Sequence, residues 1–338
     1  MVQENNLGPE TSKRRTVVKD TRAESKVWIL FKWALFLAVL IFLVYYPVRH
    51  RDVILRVLRL SLADFAAISA LYIVNVIATA LSLYCLAGDK ASFIPVRRWC
   101  GLHWVALFLN FLPMKAGMIA RAAYLKKTYG FGYLDLAAIL AGHLLLAFGM
   151  AGVLGWLSIL IVPVAPGYFP LLALGFSAMF CLPFLAWWFP GSLIEVFEKW
   201  LPRLGRWVKK AWMAWSVFRE NRKPLIRALP FVAGTFIAIA WRMEMVYRSF
   251  GVDMSFFGGL LLATAAMVLR KLSIIPGNLG IREGFLTVIA GLLGVDSQIA
   301  FIGTLLDRGV MLIWTFVFGG YQTWALFRGN PLLYGKDQ

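Results

Sequence analysis

The stretch IIPGNLGIREG, Ile274 to Gly284, separates two apolar runs that are each long enough to cross a bilayer. Pro276, Gly277 and Gly280 stop a helix, and Arg282 and Glu283 then add a charged pair where hydrocarbon would be expected. Irregular backbone at membrane depth is tolerated only where protein or water surrounds it, so this interruption marks a protected polar place. The rest of the chain supports the membrane setting. Of its 338 residues 60% are hydrophobic and only 15% charged, a balance far from that of a soluble domain.

Apolar runs of membrane-spanning length occur near 27–47, 61–87, 134–162, 170–189, 228–247, 256–275, 284–305 and 309–327. Trp99 to Leu112 is apolar but too short for an upright crossing, and it leads into Pro113, which suits a re-entrant element. The expected fold is all-α: a polytopic integral membrane protein of about eight transmembrane helices with two re-entrant or broken helical segments. Its expected division is a polar cytoplasmic tail (1–26), a transmembrane lipid-binding domain (27–327) and a short tail (328–338). The first run lacks a small-residue cleavage pattern and reads as a retained anchor.

A net charge of +18 gathers in the amino-terminal tail and in loops, above all Lys199 to Arg227, while Pro163 to Gly167 has no Lys or Arg. Basic loops beside membrane spans mark the cytoplasmic face and meet anionic lipid, so nucleic acid is not the expected partner. Within the connection 190–227, Leu193, Phe197, Trp200, Leu204, Trp207, Ala211, Trp215 and Phe218 recur at steps of three and four. They make one apolar stripe of an amphipathic interfacial helix, with Arg203, Arg206, Lys209 and Lys210 mostly off it.

The opening stretch has a counterpart about 160 residues earlier, LNFLPMKAGMIARAAYLKK, Leu109 to Lys127. Pro113, Gly117 and Arg121 can be laid against Pro276, Gly280 and Arg282. Paired, Gly/Pro-interrupted apolar segments in two halves of a chain point to a site built from broken helices. A helix starting after Pro276 would aim free N–H groups near Asn278 to Ile281 at an anion. Arg282 would add a fork of donors suited to phosphate oxygens, and Glu283 would pair with it, orient it or hold a proton. Lys115 and Arg121 offer the same chemistry in the first copy. The competing reading is that both arginines snorkel to the interface or clamp helix ends.

Three further polar residues belong to the expected polar cavity. Asp307 and Arg308 fall within an apolar stretch where facing lipid would be costly, so they should face the protein interior. His143 is deep in the fourth run and reads as an interhelical hydrogen bonder before a proton carrier. Cys85, Cys100 and Cys181 have no paired spacing. No spacing of His, Cys, Asp or Glu suggests a metal centre and no catalytic constellation is visible, so neither a cofactor nor an enzyme is expected.

Taken together, LPMKAGMIARAAYL and IPGNLGIREG, in that order among about eight spans, resemble the lysylphosphatidylglycerol synthase transmembrane-region family, over roughly Leu30 to Phe327. That family includes the flippase half of bifunctional aminoacyl-phosphatidylglycerol synthases and stand-alone relatives linked to hopanoid and polyprenyl-lipid glycosylation pathways. The resemblance implies a lipid-headgroup site carried by Pro113, Lys115, Gly117 and Arg121 in the first motif and by Pro276, Gly277, Gly280, Arg282 and Glu283 in the second, with Asn278 between them. Arg308 falls where the family tends to place an arginine. Only about ten residues follow the last apolar run, so a stand-alone member without the synthase domain is expected. The expected function is a membrane lipid translocase, or a lipid-binding transporter, for an anionic or amphiphilic lipid such as a phospholipid, hopanoid or polyprenyl-linked lipid. The expected location is a bacterial-type cytoplasmic (inner) membrane, and the expected partners are membrane lipids. The alternative is a non-transporting accessory subunit beside a lipid-modifying enzyme or glycosyltransferase.

Overall fold

A computed structural model describes residues 60–111, 116–188, 220–271 and 280–328, with Lys199, Lys209, Met213, Ser216 and Phe218 between them. The tail and first run, Pro113 and Lys115, Pro276 to Asn278, most of the amphipathic connection and the last tail lie outside the described residues. The described residues form nine continuous α-helices and no strand. They are α1 (Leu62–Ala87), α2 (Val96–Leu109), α3 (Ala116–Tyr129), α4 (Tyr133–Ile161), α5 (Phe169–Trp188), α6 (Lys223–Arg248), α7 (Phe256–Lys271), α8 (Ile281–Leu292) and α9 (Ser297–Arg328).

Local chemistry sets the ends. Ser61 Oγ accepts the Asp64 N–H at 3.0 Å and opens α1, and Gly88, at φ 53°, closes it. Helix α6 begins at Lys223, ahead of the apolar run at 228, because Asn221 Oδ1 accepts the Lys223 N–H at 3.1 Å and Pro224 suits a first turn. Five helices are long and apolar enough to cross a membrane: α1 with the short 3-10 turn after it, α4, α5, α6 and α9. Helices α2 and α3 have 14 residues each and α8 has 12, too few to span. Large apolar side chains such as Leu171, Leu174, Leu185 and Trp188 on α5 stay exposed, as a lipid-facing helix requires. The chain is a multi-pass membrane protein.

Two expected spans are redrawn. The runs 284–305 and 309–327 do not form two helices that part between them; the chain breaks at 293–296 instead. Gly294 takes φ 80° there, and Asp296 Oδ1 accepts the N–H groups of Gln298 and Ile299 at 2.9 and 3.2 Å to start α9. From there α9 runs 32 residues without interruption, because Asp307 and Arg308 are buried and paired rather than exposed at a helix end.

The helices repeat. Long, short, short, long describes α1 to α4 and again α6 to α9, displaced by about 160 residues. Helices α1 and α6 cross antiparallel: Ile68 packs near Val246 and Phe250, Asn75 Nδ2 donates to the Thr235 carbonyl at 3.2 Å, and Gly88 sits against Pro224. Asn75 and Thr235 are equivalent under that displacement, so the hydrogen bond lies where the two halves meet about a pseudo-twofold axis. Packing obeys the same symmetry, since α2 lies on α9 and α7 lies on α4. Trp99 Nε1 donates to the Ala80 carbonyl at 3.0 Å. At the matching place α7 abuts α6 so closely that a Cβ on Gly259 would sit 2.2 Å from the Ala240 carbonyl. An antiparallel axis pair makes the halves inverted, the arrangement that brings interrupted helices together near the bilayer midplane.

Candidate functional site

The second motif builds its site at the start of α8. Gly280 turns the chain at φ 80°, and its N–H donates to Glu283 Oε2 at 2.7 Å. That bond turns the Glu283 carboxylate back over the helix start, where it is fully buried. Arg282, beside it, is 4% exposed and points Nη2 at Asp307 Oδ2 on α9, 2.6 Å away. The other oxygen of Asp307 meets Arg242 Nε from α6, also at 2.6 Å. Arg282 Nη1 and Arg308 Nε then approach Glu283 Oε1 at 3.8 and 3.9 Å.

Five charged side chains from α6, α8 and α9 thus share one buried cluster, three guanidiniums against two carboxylates. Each carboxylate is held by arginines, which is the condition under which buried charge is retained at acceptable cost. Neighbouring aromatics frame it. Tyr72 lies under the Arg242 guanidinium at 5.2 Å and anchors its own hydroxyl on Thr315 Oγ1 at 2.6 Å. The Arg308 guanidinium stands 5.6 Å from the Phe111 ring. Phe111 follows α2, so the cluster of the second half reaches the end of a short helix of the first.

The first motif builds a different site. Gly117 lets α3 meet α2 directly: a Cβ there would fall 1.9 Å from the Ala106 carbonyl. Its place is in the wall between the two short helices, which sets Arg121 one turn further along. Arg121 is 4% exposed, its guanidinium lies 4.6 Å above the Trp99 ring, and Nη1 is 3.4 Å from His103 Nδ1. Among the described residues its Nε and Nη2 have no hydrogen-bond partner, and no carboxylate lies within ion-pair distance. A buried guanidinium with open donors is the chemistry of an anion seat.

The remaining expectations are placed as follows. Asp307 and Arg308 face the interior as expected, in the second cluster. His143 is buried on α4 with Nδ1 3.1 Å from Ser82 Oγ, an interhelical hydrogen bond in the first half rather than a contact with Asp307. Arg242 was absent from the expected site; its signal was an arginine inside an apolar run with no acidic residue three or four positions away. Glu244 points elsewhere and pairs with Arg248 at 3.1 Å. Among the described residues no three His, Cys, Asp or Glu side chains gather at metal-ligand spacing.

The chain matches no curated protein and no solved structure. Residues 29–319 match the family described as Lysylphosphatidylglycerol synthase TM region, and that span contains both motifs and all of the repeat but the end of α9. This chain belongs to the lysylphosphatidylglycerol synthase transmembrane-region family.

Proposed function

We propose that this protein binds an anionic or amphiphilic lipid by its headgroup and carries it between the leaflets of a bacterial-type cytoplasmic membrane. The observation that carries the reading is Arg121, a guanidinium buried at 4% exposure in a membrane protein, two of whose donor nitrogens find no partner among the described residues. A cation held inside a bilayer protein without a counter-ion is costly unless a ligand supplies the charge. Two interrupted helix pairs give the headgroup a polar path: helix starts, Arg121 and the Arg242–Asp307–Arg282 cluster lie within the protein, while the acyl chains stay in lipid. The membership of the family supports a lipid-related role. The inverted halves support movement, because inverted-topology repeats are the arrangement by which transporters alternate access to opposite faces of a membrane.

The test is reconstitution. Vesicles containing the purified chain and a headgroup-labelled phospholipid should expose the inner-leaflet label to an external quencher faster than protein-free vesicles. Equal rates, with lipid still co-purifying on the protein, would remove the translocase reading and leave a lipid-presenting subunit.

A further inference from the structure

Helix α5 packs chiefly on α4, along a seam of small residues. A Cβ on Gly152 would fall 2.5 Å from the Phe180 backbone nitrogen, and one on Gly149 would fall 3.1 Å from Pro183 Cγ. Between that pair and the first two turns of α6 a cleft of about 420 Å³ stays open. Ligand sites commonly measure about 300–1,000 Å³. Apolar and aromatic side chains line this one, among them Met150, Val153, Phe180, Phe184, Leu225 and Leu229. Val153, Phe184 and Trp188 of its wall are exposed on membrane-crossing helices, so the cleft opens sideways, where acyl chains are the solvent.

One end of the cleft is cationic. Arg222 stands directly before α6, and its guanidinium lies 4.8 Å over the ring of Trp187, a residue of the cleft wall. Lys223 follows it, and both residues are exposed. Among the described residues neither of them forms an ion pair. Pro224 meets Gly88, which puts this mouth on the membrane face where α1 ends. At the far end of α4 and α5 the loop 163–167 has no Lys or Arg.

We propose that this cleft is a second lipid site, for an anionic phospholipid whose acyl chain lies between α5 and α6 and whose phosphate rests on Arg222 and Lys223. Charge selects the occupant. Hydrocarbon alone gains nothing from a cation on the wall, and a zwitterionic headgroup returns part of the attraction through its own ammonium. The connection 190–227 is itself basic, above all from Lys199 to Arg227, and does not complement the mouth. The cleft shares no described lining residue with the two motifs, so this site stands whether or not the protein translocates lipid.

The test is photo-crosslinking of the full chain, in a neutral detergent, with phosphatidylglycerol that carries a diazirine in one acyl chain, read by peptide mass spectrometry. Arg121→Ala is the background, so that lipid held at Arg121 does not contribute. Labelling should concentrate on Met150, Val153, Phe180 and Phe184, above the level on Leu171 and Leu174, which are exposed on α5 outside the cleft. Excess unlabelled phosphatidylglycerol should remove it, and the same amount of phosphatidylcholine should not. Arg222→Gln should need about fivefold more phosphatidylglycerol for the same labelling, the weight of one cation at a lipid surface, and Lys223→Gln added to it should need more again. Val153→Trp fills the cleft from its exposed side and should lower labelling to the Leu171 level. Leu229→Trp is the second filler if the first does not fold.

Equal competition by phosphatidylcholine, or unchanged binding by the double glutamine variant, overturns the anionic assignment. Cleft labelling no stronger than that of Leu171 overturns the site. So does capture of Val153→Cys in a disulfide, in a background lacking the three native cysteines, by a second copy or by a cysteine placed within 190–219, since either gives the cleft to protein.

Discussion

Asp307 stands between Arg242 and Arg282 with one carboxylate oxygen 2.6 Å from each, so it joins α6, α8 and α9 at a single buried point. Three helices from one half of the chain depend on that carboxylate for charge balance.

Asp307→Asn should consequently destabilise the protein by about 3–5 kcal/mol, the range for breaking a buried pair by removing one partner. Replacing Arg242 by Met together with Asp307→Asn should recover part of the loss, since it also removes an uncompensated cation. Thermal unfolding of the single and double variants in detergent measures both. By contrast, Arg248→Ala breaks only the rim pair with Glu244. It should change stability by less than about 1 kcal/mol.

Gly117 and Gly284, one from each motif stretch, should behave oppositely. Gly117→Val places side-chain atoms into the Ala106 carbonyl and forces α2 from α3. Folded yield should collapse. Gly284, where an added Cβ meets nothing, lies on α8, so Gly284→Ala should fold normally and gain up to about 1 kcal/mol of helix stability. Size-exclusion profiles of the two variants are the check, and equal behaviour would contradict the packing role of Gly117.

Inverted halves place the loop after α1 and the loop after α6 on opposite faces of the membrane. Ser92→Cys and Asp253→Cys, each exposed, should be labelled by an impermeant maleimide from opposite sides in a background lacking Cys85, Cys100 and Cys181. Labelling from one side only would contradict the antiparallel crossing of α1 and α6.

Much of this arrangement was legible in the sequence because bilayer length and the punctuation of Gly and Pro are local signals. The runs at 61–87, 134–162 and 170–189 are α1, α4 and α5 to within a residue or two, and the short run before Pro113 is the half-length α2. The turn at 293–296 was missed because apolar Val295 and Gly294 sit inside a run that reads as continuous, and only the Asp296 side chain reveals the new helix start. Arg242 was missed because its partner is on a distant helix. The motif pair suggested a repeat, but the inversion of its halves needed the helix crossing at Asn75 and Thr235, which is a tertiary fact.

The central claim is that the buried guanidinium of Arg121 receives the headgroup during passage, and flipping by Arg121→Ala in reconstituted vesicles tests it most directly. The variant should fold at least as well as the wild type, since it removes a buried charge that no carboxylate of the described residues balances. It should nevertheless lose nearly all protein-dependent exposure of the labelled phospholipid. Exposure at the wild-type rate by a normally folded Arg121→Ala protein would contradict the account.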